Sequence, residues 1–210
     1  MKEKEKIKIA LSKYLPNGFE GMVADLIFSA PLKFKIVKPR KTKLGDFRPA
    51  FNGKPHQITV NGNLNPYAFL ITTLHEFAHL QTHLTYGNTV APHGKEWKKA
   101  FSILLAPLLI SETIPEDIKN ALKYTISNIR AATYTDIELS RTLKRYNKDS
   151  EKSNTLLLEE IDCDQAFKID GRLFQRGQLK RKRYLCKEVN TGKFYLINRL
   201  AEVELIDKNV

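Results

Sequence analysis

Asn65-Pro66 opens a helix and Gly87-Asn88 closes it, and from Gln57 to Pro92 the chain is almost free of charge. Asparagine caps the orphan N–H groups of a first turn, proline fills the first helical position where its missing N–H is no loss, and glycine allows the last turn to end. The helix predicted between them runs to about Tyr86 and carries His75-Glu76-Phe77-Ala78-His79. Residues four apart on a helix turn through about 400°, so the two imidazoles project from adjacent turns within about 40° of one another and can close on one ion. Zinc suits such a pair, because it favours imidazole nitrogen and works with three protein ligands and a water. Glu76 is then placed to act as general base toward that water. The plainer alternative is a pair of core histidines on an amphipathic helix.

A third ligand is needed, and the sequence offers His56, His83 and His93. His83 continues the series, but in an unbroken helix it lies ~12 Å along the axis from His75. His56 begins a strand and reads as a polar strand-end residue. His93 follows the Gly87 break, where a chain reversal can bring it back over the pair, and geometry favours it.

Around this helix the pattern is α+β. Helices are predicted over the first dozen residues, from about Phe19 to Ser29, from near His93-Gly94 through Trp97 and Leu105, and from Glu112 to Tyr146 with breaks at Pro115 and Ala131 to Tyr134. Leu32 to Lys38 alternates apolar and basic residues as a half-buried strand does, Lys43 to Asp46 reads as a turn, and His56 to Asn61 as a second strand. Beyond the polar stretch Lys148 to Asn154 come short alternating runs punctuated by Asp170-Gly171, Arg176-Gly177 and Thr191-Gly192. They predict a small antiparallel β module. The expected division is therefore residues 1–150 and 151–210.

The net charge of +12 is local. Lys33 to Arg48 contributes +6 and Arg172 to Lys193 contributes +7, so the remainder of the chain is close to neutral. Two basic patches on a balanced protein point to a polyanionic partner, DNA or RNA. The second patch has aromatics within it: Arg172, Phe174, Arg176, Lys180, Arg181, Lys182, Arg183 and Tyr184 are candidates to neutralise phosphates and stack on unpaired bases. A solvated hairpin with core aromatics is the competing reading, and alternating lysines on a strand also serve as edge protection. Two distant cysteines, Cys163 and Cys186, exclude a disulfide scaffold and a four-cysteine zinc site. The N-terminus mixes acids with bases and lacks an apolar segment, and no apolar run approaches the roughly 20 residues that span a bilayer. A cytoplasmic protein without membrane association is expected.

Thr72-Thr-Leu-His-Glu-Phe-Ala-His-Leu80, followed after a glycine turn by Val90-Ala-Pro-His-Gly-Lys-Glu-Trp97, resembles the SprT-like family of zincin metalloproteins, to which the DNA–protein crosslink protease Spartan belongs. Lys43 to Arg48 and Ile58 to Asn61 resemble segments preceding that family's active-site helix, and the likeness covers about Leu11 to Pro107. It implies a zincin-like metalloprotease core of helices plus a small sheet with HExxH on the central helix. It also implies His75, His79 and His93 as ligands of one Zn2+, Glu76 as catalytic acid/base, and Trp97 as packing behind the third ligand. Bacterial members often append a zinc ribbon of paired cysteines; here the C-terminal module resembles a degenerate one. The function so implied is a zinc-dependent metallopeptidase acting on a protein substrate near or bound to nucleic acid, with the substrate paired to an edge strand, taken as the one holding Ile58 to Val60. The alternative is a nucleic-acid or transcription-associated binding protein whose zinc site is structural or vestigial. A metalloenzyme for a small molecule is a third, less favoured by the basic patches.

Overall fold

The structure, a computed structural model, describes residues 2–40, 42–127, 137–147 and 155–206. The predicted break at Ala131 to Tyr134 and the polar stretch Lys148 to Asn154 lie outside them. The chain divides into two compact units, Met1–Asn147 and Lys148–Val210, and the fold is α+β, with six helices and two sheets among the described residues. None of these helices is long and apolar enough to cross a membrane.

In the first unit, α1 (Lys2–Leu11) and α2 (Glu20–Phe28) precede strands β1 (Leu32–Val37), β2 (Gly45–Arg48) and β3 (His56–Asn61). Helices α3 (Pro66–Tyr86), α4 (Lys95–Ile110), α5 (Glu116–Ser127) and α6 (Ile137–Lys144) follow. The cap read from Asn65 forms: its side chain accepts from Ala68 N–H at 2.9 Å, while its amide donates to Leu143 O and Asn147 Oδ1, tying the start of α3 to the end of α6. Thirteen of the twenty-one residues of α3 are buried, so it is a central helix rather than a surface one with a single apolar stripe. Trp97, Phe101, Leu105 and Leu108 of α4 pack into the same core, as do Phe34, Ile58 and Val60 of the sheet.

The sheet order is β1-β3-β2, with β1 parallel and β2 antiparallel to β3. β3 is thus the middle strand, and the edge-strand role expected of Ile58 to Val60 is corrected: both of its hydrogen-bonding sides are taken, and β1 and β2 form the edges. Alternation splits the sheet into faces. Phe34, Ile58 and Phe47 share the side that joins the core; Lys33, Lys35, Gln57, Asp46 and Arg48 share the other.

The expected turn at Lys43 to Asp46 is half wrong, because β2 starts at Gly45. Arg40 Nε donates to Asn61 Oδ1 at 2.9 Å, and Asn61 Nδ2 donates to the carbonyls of Arg40 and Lys43. A buried asparagine therefore pins the approach to β2, and the glycine serves a close approach instead of a reversal.

The second unit holds β4 (Thr155–Leu157), β5 (Ala166–Ile169), β6 (Arg172–Gln175), β7 (Leu179–Lys180), β8 (Arg183–Glu188), β9 (Phe194–Asn198) and β10 (Glu202–Leu205) in one sheet. β7 and β10 are additions to the predicted runs. Asp170 and Gly171 both take positive φ (51° and 75°), the paired left-handed conformation of a two-residue hairpin turn. Leu158, Ile161, Phe167, Phe174, Tyr184, Cys186 and Val203 form the core of this unit. Cys186 is fully buried there as a small apolar residue, Cys163 is exposed, and both are free thiols.

Candidate metal centre

His75 and His79 extend from adjacent turns of α3, as the spacing requires. After Gly87 ends the helix, the chain returns through a tight turn in which Gly94 N–H donates to Ala91 O at 2.9 Å. A side chain on Gly94 would meet that same carbonyl at 2.8 Å, so the turn excludes one. Within it His93 takes φ 58°, a left-handed conformation uncommon for a residue with a Cβ. Backbone strain of this kind persists where its surroundings hold it and gathers at functional sites.

The result is a triangle of ring nitrogens. The Nε2 atoms of His75 and His79 lie 3.3 Å apart, those of His79 and His93 3.0 Å, and those of His93 and His75 3.2 Å. Among the described residues these three histidines could hold a metal ion. The donor set fits zinc: bonds of ~2.0–2.1 Å at tetrahedral angles separate neighbouring donors by ~3.3 Å. Three neutral imidazoles so close cannot all be satisfied by hydrogen bonds to one another, since each has one donor and one acceptor nitrogen.

The surroundings keep the rings neutral and fixed. Burial, then the neighbouring His79 and His93, pushes the His75 imidazole down to about 2; burial and His93 push His79 down to about 4. Burial and Lys98 lower His93 as well. Deprotonated imidazole is the form that ligates. Buried Trp97 backs all three rings, with centroids 4.7, 5.2 and 4.6 Å from those of His75, His79 and His93, and Phe101 stacks behind it at 4.9 Å. On another side Phe47 lies parallel to His79 at 6.5 Å.

Glu76, next to His75 in the sequence, is buried close against Gly45 of β2. Its carboxylate accepts from Phe47 N–H, and a Cβ on Gly45 would fall 2.4 Å from Glu76 Oε1 and 2.8 Å from Thr72 Cγ2. Burial, with the Asp46 charge adding to it, pushes the Glu76 carboxyl up to about 8, against the opposing pull of Arg40, the Phe47 N–H and Lys43. Gly45 and Phe47, with Arg40 and Asn61 behind them, are the positioning residues that sequence reasoning missed. The signal was Gly45 itself, a glycine followed by the alternation of a strand.

His56 and His83 do not join the triangle. They pair with each other, centroids 5.5 Å apart, against the ring of Phe47, and His56 Nδ1 accepts from Ala50 N–H at 2.9 Å.

The nucleic-acid candidates on the β module separate into three groups. Phe174 and Tyr184 are core residues and present no ring face to a base, which corrects the expectation of stacking by either. Arg172 is bonded to Glu188 at 2.7 Å and lies over Phe174 and Tyr195; Arg176 donates to Ile161 O and lies over Tyr184 at 4.0 Å. Both hold the module together. Lys180, Arg181, Lys182 and Arg183 are exposed around the β7–β8 turn. Compared with protein-family models, curated proteins and solved structures, the chain matches none of them.

Proposed function

We propose that this chain is a zinc-dependent metallopeptidase of the SprT-like class that acts on proteins near or bound to nucleic acid. The observation that carries the proposal is the convergence of three Nε2 atoms within 3.0–3.3 Å, with a buried carboxylate one residue from the first of them. A structural site needs no such neighbour. When bound, zinc supplies Lewis-acid chemistry, polarising a carbonyl and drawing the pKa of water toward neutrality.

His75, His79 and His93 hold the ion, and Trp97 holds their rings in place. Glu76 moves the proton. Its Oε accepts one from the attacking water as the new C–O bond forms at the peptide carbon, then delivers it to the leaving nitrogen as the C–N bond breaks. Burial, which disfavours the charged form, makes this carboxylate a readier proton acceptor than an exposed one. β2 supports substrate binding: it is an edge strand, and an extended peptide can add to such an edge by backbone hydrogen bonds.

The experiment pairs metal analysis with cleavage of a DNA-bound protein by wild type and Glu76→Gln. One zinc per chain in both proteins and cleavage by wild type alone is the expected result. Equal cleavage by both, or a chain that takes up no zinc from a supplied excess, overturns the proposal. Zinc in both proteins with cleavage by neither selects the binding-protein alternative.

A further inference from the structure

Helix α4 lacks a polar face over its second half. After Lys99 no charged residue occurs until Glu112, although the helix runs on to Ile110. Its inner side is accounted for, since Trp97, Phe101, Leu104, Leu105 and Leu108 are buried in the core. Ile103, Ala106, Pro107 and Ile110 are exposed, Ile103 by 62% and Ile110 by 86%. At 100° per residue these four centre roughly 150° round the axis from the buried set. They fall at i, i+3, i+4 and i+7, the spacing of a continuous stripe. A surface helix ordinarily carries charged and polar residues on that side, and one that is apolar all round is covered on both.

The ends of the stripe are charged, and oppositely. Lys99 is exposed one turn before Ile103, on the same side of the helix, and Glu112 is exposed two residues past Ile110. Among the described residues neither has an ion-pair partner, whereas Lys95 pairs with Glu96 and Glu116 with Lys119. The midpoint of the stripe lies between Ala106 and Pro107. From the rise of an α-helix Lys99 stands ~11 Å before it, and Glu112, just past the helix end, stands ~8–12 Å after it. The small side chain of Ala106 at the midpoint lets a second helix approach closely.

We infer that the outer face of α4 binds the same face of a second copy of this chain, the two helices antiparallel about a twofold axis at Ala106-Pro107. That operation sets Ile103 of each copy on Ile110 of the other and Lys99 against Glu112, so the stripe is complementary to itself in its apolar and its charged parts alike. A lipid surface fits less well: Glu112 and Glu116 stand at one end of the stripe, where anionic headgroups repel them. The contact is small. Four residues and two rim charges a side bury less than ~1,200 Å² in total, the class of weak and reversible interfaces. The inference stands apart from the function proposed above, because the ring of Trp97 that backs the metal centre lies on the inner side of the helix.

Sedimentation equilibrium of the full chain, from ~5 µM to ~0.5 mM, tests it. Wild type is expected to pass reversibly from monomer to dimer across the series. Ile110→Glu puts a charge at a largely exposed position, should leave thermal unfolding in dilute solution unchanged, and weakens dimerisation more than about 100-fold. Lys99→Glu and Glu112→Lys each set like charges together and weaken it roughly tenfold, while the double exchange restores association to the wild-type level. Wild type that stays monomeric throughout, Ile110→Glu that dimerises as wild type does, or a double exchange as weak as the single ones would each overturn the inference. So would capture of wild type by anionic vesicles that Ile110→Glu abolishes. Neither zinc nor cleavage is read, so its failure leaves the peptidase proposal standing.

Discussion

Replacing Gly45 with alanine asks whether β2 is the support of Glu76. A Gly→Ala change at a compatible position stabilises a protein by about 0.4–1 kcal/mol, by restricting the unfolded chain. The backbone at Gly45 is not among the positive-φ positions, so conformation alone predicts that sign. Space predicts the opposite one. The new methyl would stand 2.4 Å from Glu76 Oε1, 2.8 Å from Glu76 Cγ and 2.8 Å from Thr72 Cγ2, all inside any normal contact distance. Glu76 and Thr72 are 6% and 1% exposed and cannot swing into solvent. Either β2 lifts or the carboxylate leaves Phe47 N–H, and overpacking of this kind costs about 1–3 kcal/mol. Denaturant unfolding of wild type, Gly45→Ala, Glu76→Ala and the double variant measures it. The alanine should destabilise the wild-type background and cost at least about 1 kcal/mol less where Glu76 is already truncated. Zinc content should not change, because no ligand lies on β2, while cleavage falls on the order of 100-fold as the base is displaced. An alanine that stabilises both backgrounds equally would refute the close approach and the positioning role built on it.

His93→Ala should reduce zinc affinity by more than about 100-fold in a chelator competition, whereas His56→Ala and His83→Ala should leave it nearly unchanged. Trp97→Ala removes the wall behind three imidazoles and a core ring together, and unfolding of the metal-free chain should show a loss of about 3–5 kcal/mol. Arg172, the Thr191 hydroxyl and Lys193 hold the Glu188 carboxyl down to about 2, so its contribution is present above the ordinary range near 4.5 and is lost as the pH falls from there toward 2. Acid titration followed by Tyr fluorescence should show the β module of Glu188→Gln already weakened at pH 7 and less sensitive to acid than wild type; equal acid sensitivity would rule that pair out as the cause.

What the sequence makes legible is what short-range signals govern. α3 was readable to its last residues because Asn65-Pro66 and Gly87 act within one turn, and the i, i+4 pair follows from helix geometry alone. His93 was reachable as a choice among three histidines, since the reversal after Gly87 is local; the left-handed backbone that aims its ring is not written in residue types. Gly45 was misread because a glycine beside Asp46 carries the same signal for a turn as for a close approach, and only the position of Glu76 distinguishes them. The β module shows the same limit. Alternation announces two faces without saying which is inward, so Phe174, Tyr184 and Phe194 look equivalent until the neighbouring strands cover the first two. β7 is two residues long, and β10 depends on partners some forty residues away, beyond the reach of local pattern.

X-ray absorption at the zinc edge of the metal-loaded chain tests the central claim most directly. Three imidazole nitrogens at ~2.0–2.1 Å and one light-atom ligand from solvent are predicted, a set that loses one imidazole in His93→Ala and is unchanged in His83→Ala. Sulfur at ~2.3 Å, or a fourth position filled by protein, would contradict it.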